Sequence, residues 1–225
     1  MTCPVENQPV TIEICDYYTF FMKLEKLKNL AGREWHYDSQ STQPCAQRLK
    51  KIDFEWSLLQ DYSKKILASP ASFEIKLETT RFSSPLSVSL NQAYEEAGYK
   101  RGLSEYYEVG TPELNKICQP ILKQIPLLNP EVRLFIQTPG QAIPLHVDAY
   151  ESYSLRSEIS YDKIVRHVVF IEDWDWGHYL LIGNDSIHQW QAGDSYRIDR
   201  GVWHCSANCG LSPKLTMSIT GMRTD

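Results

Sequence analysis

The sequence has 225 residues, of which 42% are hydrophobic, 12% aromatic and 23% charged. These fractions are close to those of an average globular protein, so they exclude a disordered, fibrous or low-complexity chain. The 23 basic and 28 acidic residues give a formal net charge of −5, whereas nucleic-acid-binding proteins have a basic surplus. At this length we expect one folded domain over residues 1–225.

The cysteines and the N-terminus point to no special class of protein. The six cysteines form no CxxC pair, so their spacing indicates neither a zinc finger nor a redox pair. The first residues resemble no signal peptide, and no segment approaches the roughly 18 to 20 apolar residues of a membrane span. We therefore expect a soluble, cytoplasmic protein that binds neither nucleic acid nor membrane. Its oligomeric state stays open.

Residues 1–130 are typical of a helix-rich part. Apolar residues recur at three- and four-residue steps in two segments, and a Thr-Pro-Glu sequence marks the start of a further helix. The polar stretch between the first two segments is typical of a loop. We predict helices over Tyr17–Leu30, Ala46–Leu67 and Thr111 to about Lys123, a loop over Gly32–Pro44, and a helix or an ordered loop over Asn91–Glu108.

From Glu131 onward the hydrophobic period changes to two. Val132, Leu134 and Ile136 alternate with the residues between them, and turn sequences containing glycine separate about eight such segments. Short strands at this spacing favour an antiparallel jelly-roll barrel or sandwich over a parallel α/β sheet. We therefore predict a mixed α+β protein whose strand-rich part spans residues 131–221.

The last two predicted strands each have one polar face. His204, Ser206 and Asn208 alternate with small or apolar residues, and so do Lys214, Thr216 and Ser218. A polar face is often simply the solvated one. Because this face includes a histidine and one of only two lysines in the region, we predict that it lines the interior of the barrel.

A possible metal site lies in the same part of the chain. His146 and Asp148 are two residues apart, so a strand would point an imidazole and a carboxylate to one side. His204 follows Asp148 by 56 residues and can add a third ligand from another strand. Two histidines and one carboxylate form the facial triad of non-haem Fe(II) oxygenases, which leaves coordination positions open.

Lys214 comes ten residues after His204. A cation on the strand next to the distal histidine can pair with the far carboxylate of a dicarboxylate that chelates the iron. Thr216, on the same face, can donate a hydroxyl hydrogen bond to that carboxylate. These residues together predict a bound dicarboxylate as well as a metal.

With these residues the sequence resembles the Fe(II)/2-oxoglutarate-dependent oxygenases, in particular the small hydroxylases related to the aspartyl/asparaginyl and prolyl hydroxylases. The resemblance covers about residues 130–221, and the first 130 residues match no family that we can name. Lys214 stands where the family usually has arginine. The matching segments are Pro139-Gly140, His146-Val147-Asp148, Asp173-Trp174 to Gly177-His178, Trp190-Gln191-Ala192-Gly193-Asp194, His204, Asn208, Lys214 and Thr216.

The resemblance implies a double-stranded β-helix with the N-terminal helices packed outside it as a buttress. Fe(II) would be held by His146, Asp148 and His204, and 2-oxoglutarate by Lys214 and Thr216. O₂ would convert 2-oxoglutarate to succinate and CO₂ while the substrate is hydroxylated. Because a halogenase of this family needs the carboxylate position vacated, Asp148 favours hydroxylation. The substrate can be a small molecule, an amino acid or a residue in a peptide or protein.

Two further residues are candidates for binding the co-substrate. Gln137 shares a strand face with Arg133, and if that face is the lumen Gln137 can bind the co-substrate or the substrate. Arg166 opens a predicted strand at a position where an arginine of related hydroxylases contacts an acid group. A structural arginine paired with a nearby acid such as Asp162 or Asp173 is an equal alternative.

Other interpretations of the same residues stay open. A hydrolytic or isomerising cupin could use this set with Zn or Mn, but it would not need Lys214 and Thr216. A non-catalytic barrel that binds a small molecule would tolerate the loss of a ligand, and none is lost. The segment Tyr150–Tyr161 has no clear strand period, which is typical of a mobile lid or a solvated loop. Trp174, Trp176, Tyr179, Trp190 and Cys205 are expected to pack in the core or at its rim.

Overall fold

The computed structural model describes residues 46–70, 77–79, 105–148 and 150–224. The described helices are α1 (Ser57–Ala68), α2 (Pro112–Leu122) and α3 (Glu151–Ser157). The described strands are β1 (Gln47–Arg48), β2 (Leu77–Thr79), β3 (Glu105–Val109), β4 (Leu127–Gln137), β5 (Ala142–His146), β6 (Ile164–Phe170), β7 (His178–Ile182), β8 (Asp185–Ile187), β9 (Ser195–Ile198), β10 (His204–Asn208) and β11 (Lys214–Arg223).

The strands form two antiparallel sheets. The larger sheet has the order β1-β9-β6-β11-β4-β3-β2, and the smaller one has the order β5-β10-β7-β8. Between β5 and β10 the chain passes through β6 in the larger sheet, β7 and β8 in the smaller sheet and β9 in the larger sheet, so it crosses between the two sheets as in a jelly roll. The predicted double-stranded β-helix is therefore confirmed, as is its mixed α+β class.

One apolar core cluster lies on the outer face of the larger sheet, and a second one joins residues of β6 and β7 from both sheets. Val132, Leu134 and Ile136 of β4 are fully buried in the first cluster, as the period of two predicts. The neighbouring strand β11 presents its apolar residues to the same cluster, and α1 and α2 cover the cluster from outside. Helices packed against this face leave the opposite face of the same strands to line the barrel interior.

The predicted helix over Ala46–Leu67 is wrong in its first half. Helix α1 begins at Ser57, and Gln47 and Arg48 form the strand β1, which pairs with β9. The backbone N–H groups of Leu49 and Ile52 donate to the carbonyls of Ser195 and Gly193. The apolar residues in this stretch have helical spacing, but their backbone N–H groups form hydrogen bonds with a distant segment of the chain instead of hydrogen bonds within a helix.

The next two predictions have different outcomes. Thr111 caps α2 by accepting a hydrogen bond from the N–H of Leu114 at 3.1 Å, which confirms the predicted start of this helix. Within the segment Asn91–Glu108, the part from Glu105 onward is the strand β3, so a helix there is wrong. The predicted helix Tyr17–Leu30, the loop Gly32–Pro44 and the rest of Asn91–Glu108 lie outside the described residues.

The segment Tyr150–Tyr161 is a short, anchored helix rather than an irregular loop. Tyr153 is buried, and its hydroxyl donates to the carbonyl of Asn129 at 2.7 Å. Arg156 forms two hydrogen bonds with the carboxylate of Glu131. These contacts tie α3 to the start of β4.

The strands β1 to β3, which precede residue 131, belong to the larger sheet. The division of the chain into residues 1–130 and 131–221 stays a prediction. Among the described residues, every helix is too short or too polar to cross a membrane.

Candidate metal centre

His146, Asp148 and His204 meet at one end of the smaller sheet. His146 is the last residue of β5, His204 is the first of β10, and the two are register partners in the antiparallel pair. Their ring centroids are 4.2 Å apart. Asp148 lies two residues beyond His146, and its carboxylate lies on the same side of the chain as the His146 imidazole. One potential ligand atom from each residue lies within 4.8 Å of the others.

Both imidazoles are oriented by backbone carbonyls. Nδ1 of His146 lies 2.7 Å from the carbonyl oxygen of Pro144, and Nδ1 of His204 lies 3.0 Å from that of Val202. A carbonyl oxygen only accepts, so each Nδ1 is the donor and each Nε2 keeps its lone pair. The two free lone pairs are on the atoms nearest Asp148: His204 Nε2 is 3.5 Å from Oδ2 and His146 Nε2 is 4.0 Å from Oδ1.

The imidazoles are held in the neutral form that binds metals. Burial, followed by the neighbouring ring of His204, lowers the pKa of His146 to about 4. Burial also lowers the pKa of His204, and the nearby Asp148 carboxylate only partly offsets this. Two neutral imidazoles and one carboxylate are a donor set that fits a divalent transition metal such as Fe(II).

Arg166 holds the carboxylate of this cluster. Its Nη1 lies 2.7 Å from Asp148 Oδ2, and its Nε donates to the hydroxyl of Thr220 at 3.2 Å. The guanidinium also lies over the ring of Tyr150, 5.4 Å from the centroid. The arginine is thus fixed from three sides, and it contacts an acid group as the sequence suggests, although that group belongs to the protein.

Lys214 and Gln137 form a second polar cluster inside the barrel. Lys214 is 1% exposed, and its ammonium donates to Tyr179 O at 2.7 Å, to Gln137 Oε1 at 3.3 Å and to Ser206 Oγ. Within the described part of the chain, no carboxylate forms a salt bridge with this lysine. Burial lowers the pKa of Lys214 from 10.5 to about 7.

A cavity of about 200 Å³ lies between the sheets, and Lys214 and Gln137 are not among the residues that line it. Thr216 and Ser206 form part of its wall, next to Lys214, and the triad and Arg166 form another part. Gln137 is 1% exposed and contacts Ser206 and Lys214 rather than the cavity. Among the described residues, the polar face of β10 and β11 therefore faces the barrel interior, as predicted.

Three further histidines of the described residues lie away from the triad. His167 is buried, His188 is exposed, and His178 hydrogen bonds with the carbonyl of Ser212. None of the three lines the cavity or joins the cluster of potential metal ligands. They are suitable comparison positions for the triad.

The aromatic residues mostly pack as expected. Trp190 is buried and stacks on Phe170 at 3.9 Å between centroids, while Trp174 packs at the edge of the same cluster. Trp176 is 80% exposed, so it belongs to the rim. Cys205 is half-buried on the outer face of the smaller sheet rather than in the core.

Several cavity residues were not predicted from the sequence. Tyr106 and Glu108 of β3 line the cavity beside Arg133 and Phe135 of β4. Tyr106 and Glu108 are two residues apart. Had the segment been recognised as a strand, this spacing would have placed both side chains on one face of the sheet. Arg133 is paired with Glu108, its Nε lying 3.3 Å from Oε1.

Comparisons with known proteins give likenesses of fold alone. No protein-family model matches this sequence, and no curated protein sequence matches it. A prolyl-4-hydroxylase from Pseudomonas putida is similar over 90% of this chain and 100% of that chain, at 12% identity and a TM-score of 0.48. The non-haem α-ketoglutarate-dependent epimerase SnoN from nogalamycin biosynthesis is similar over 89% of this chain and 83% of that chain, at 13% identity and a TM-score of 0.49. A cupin protein from Bacteroides fragilis covers 46% of this chain and 74% of its own, at 18% identity and a TM-score of 0.32. At such values the likenesses leave the activity open.

Proposed function

We propose that this protein is an Fe(II)- and 2-oxoglutarate-dependent dioxygenase that hydroxylates a small substrate. The observation that supports this function best is the placement of three potential ligands and a buried lysine in one barrel interior. His146, Asp148 and His204 converge beside a cavity, and Lys214 lies against Ser206 in its wall. A cupin that uses only a metal has no need for a buried cation there.

His146, Asp148 and His204 would hold Fe(II). With 2-oxoglutarate and O₂, the iron supplies an oxidation in which one oxygen atom enters succinate and the other enters a C–H bond of the substrate, with loss of CO₂. The contribution of the chain to this site is orientation, because both histidines are fixed through Nδ1 by backbone carbonyls. Such outer contacts strengthen ligand binding and fix the ring tautomer.

Arg166 acts as a positioning residue for Asp148 in this proposal. The guanidinium binds Oδ2 at 2.7 Å and leaves Oδ1 directed towards His146. A carboxylate held through one oxygen offers the other to the metal in a single orientation. Arg166 itself is held by Thr220 and Tyr150, so its position does not depend on a ligand.

Lys214 and Thr216 bind the distal carboxylate of 2-oxoglutarate in this proposal. In the described structure the ammonium of Lys214 donates to three neutral oxygen atoms. A carboxylate that replaces one of them forms a charge-assisted hydrogen bond, which is about twice as strong as a neutral one. Gln137 then has a supporting role, because its amide oxygen accepts from both Ser206 and Lys214.

The test is succinate formation with purified protein, Fe(II) and 2-oxoglutarate under O₂. We expect slow succinate release without added substrate, loss of this release on replacement of His146 by alanine, and retention with His188→Ala. An anaerobic titration provides an independent readout, because a 2-oxo acid that chelates Fe(II) gives a visible charge-transfer band. If neither succinate nor this band forms, the protein is a cupin of another activity or a binding barrel.

A further inference from the structure

One wall of the cavity has no role in the proposed function. It consists of Tyr106 and Glu108 on β3 and of Arg133 and Phe135 on β4. Glu108 is the register partner of Phe135, so these four side chains lie on one face of the sheet. The proposed ligands of Fe(II) and 2-oxoglutarate lie on other strands, so this wall is available to a substrate.

The wall presents a carboxylate and a guanidinium side by side. Arg133 Nε lies 3.3 Å from Glu108 Oε1, and the two side chains are 36% and 30% exposed. They are therefore accessible to a ligand in the cavity rather than sealed in the core. The contacts of Arg133 with Glu108, Glu131 and the carbonyl of Val132 use at most three of its five N–H groups.

The chain holds Arg133 in one position. A Cβ on Gly110 would lie 2.2 Å from Arg133 Nη1, so the guanidinium occupies the space left by the missing side chain. Glu131 lies 3.8 Å from Arg133 Nη2, and Arg156 in turn fixes Glu131 at 2.6 Å. A guanidinium fixed in this way loses little conformational freedom when it binds a carboxylate.

We infer that this wall binds the ammonium and the carboxylate of a free α-amino acid, which is then the substrate that is hydroxylated. This inference rests on the proposed function for the reaction and on the wall for the substrate class. Glu108 would accept from the ammonium group, and the remaining N–H groups of Arg133 would donate to the carboxylate. The rings of Tyr106 and Phe135, 5.6 Å apart, offer an apolar surface to the side chain of the amino acid.

Size and charge favour a free amino acid over larger or purely anionic substrates. A cavity of about 200 Å³ is smaller than the pockets that hold drug-sized ligands. An amino acid within a peptide has lost both charges to amide bonds, so this ion pair does not favour its binding. A substrate that is only anionic, such as a phosphate ester, is repelled by Glu108.

The test measures binding directly, so that it does not depend on turnover. The unaltered protein is heated with each of the twenty free L-amino acids, and with the N-acetyl amide of each one that binds. We expect at least one free amino acid to raise the Tm by about 5 °C at about a hundred times its Kd, and its N-acetyl amide to have no effect. If no free amino acid raises the Tm, or if the blocked form is equally effective, the inference is overturned.

Variants then test the wall itself. Glu108→Gln and Arg133→Gln should each raise the Kd for the amino acid by about tenfold or more, as expected for the loss of a charged hydrogen bond. Gly110→Ala keeps both charges but displaces the guanidinium, so it should weaken binding in the same direction. Arg197→Gln is a matched control, because Arg197 pairs with Asp199 at 2.6 Å outside the cavity wall.

A double variant separates a binding role from a structural one. Glu108→Arg combined with Arg133→Glu keeps an ion pair but exchanges the positions of its charges. Recovery of stability without recovery of amino-acid binding supports the inference, whereas full recovery of binding contradicts it. Amino-acid binding without succinate formation would refute the proposed function alone, and succinate formation without amino-acid binding would refute this inference alone.

Discussion

Replacement of Lys214 by methionine should remove a pH dependence from the stability of the protein and weaken the binding of 2-oxoglutarate. Methionine has a similar length and no charge. Lys214 is 1% exposed, and burial lowers its pKa from 10.5 to about 7. At a pH below both values, this difference corresponds to about 5 kcal/mol by which the buried charge destabilises the folded state.

The variant also loses the hydrogen bonds of the ammonium group. Gln137 Oε1 keeps its hydrogen bond from Ser206, but the oxygens of Tyr179 and Ser206 each lose a donor, at a cost of about 1 to 3 kcal/mol for each oxygen. These costs offset much of the gain, so at pH 6 the stabilities of the variant and the unaltered protein should differ by no more than about 3 kcal/mol. Between pH 7 and 10.5 the unfolded state binds more protons than the folded state, so the unaltered protein becomes more stable as the pH rises. At pH 10 the variant should therefore be less stable, relative to the unaltered protein, than at pH 6 by about 4 kcal/mol.

The assay is urea unfolding of both proteins at pH 6 and pH 10 under reducing conditions. Lys163→Met is the control, because Lys163 is exposed and should show no such pH dependence. In a separate titration, Lys214→Met should weaken 2-oxoglutarate binding by about 2 to 4 kcal/mol, as expected when one partner of a desolvated charge pair is removed. If the variant is destabilised equally at both pH values, the charge of Lys214 does not destabilise the folded state. The buried charge of this lysine then gives no reason to expect a bound carboxylate.

Other substitutions test the remaining parts of the site and the fold. Alanine in place of His146, Asp148 or His204 should abolish Fe(II) binding in anaerobic calorimetry; normal binding by any of the three would mean that the ligand set is misassigned. Arg166→Gln should weaken Co(II) binding by about tenfold or more and change the visible spectrum of the bound Co(II), and an unchanged spectrum would remove its positioning role. Gly193 has a φ of 88°, and a Cβ there would lie 2.4 Å from Ile52 O, so Gly193→Ala should lower the free energy of unfolding by more than about 2 kcal/mol. Gly140 also has a positive φ but nothing within 4 Å of its Cβ position, so Gly140→Ala should lower it by only about 1 to 2 kcal/mol.

Local periodicity was sufficient to predict the strands and the faces that define the site. The alternation along β4 and β11 predicted which residues point outward, and these residues are buried in the outer cluster. The spacing of His146 and Asp148 predicted that they share a side, and the structure brings His204 to them. These predictions depend on residues that are close along the chain, or on a spacing that the family resemblance supplies.

Pairings between distant segments were not predictable in this way. The extended run before α1 looks helical because Ile52 and Trp56 are four residues apart, yet its backbone groups bond to a segment about 140 residues later. The contact between Glu108 and Arg133 exists because β3 pairs with β4. The contact of Arg166 with Asp148 requires the two sheets to face each other. No spacing within a single strand encodes such contacts.

The strand β11 shows how one segment serves both stability and the site. Its residues Leu215, Met217 and Ile219 pack against the helices, and Lys214 and Thr216 point into the barrel. Because the side-chain period of a strand is two, a slip of one residue against β4 would move the lysine into the apolar cluster and three large apolar residues into the lumen. Burial of an unpaired charge in that cluster costs far more free energy than the slipped strand could recover through other packing. The buried charge of Lys214 lowers the stability of the folded state, and it also fixes the register of β11 against β4.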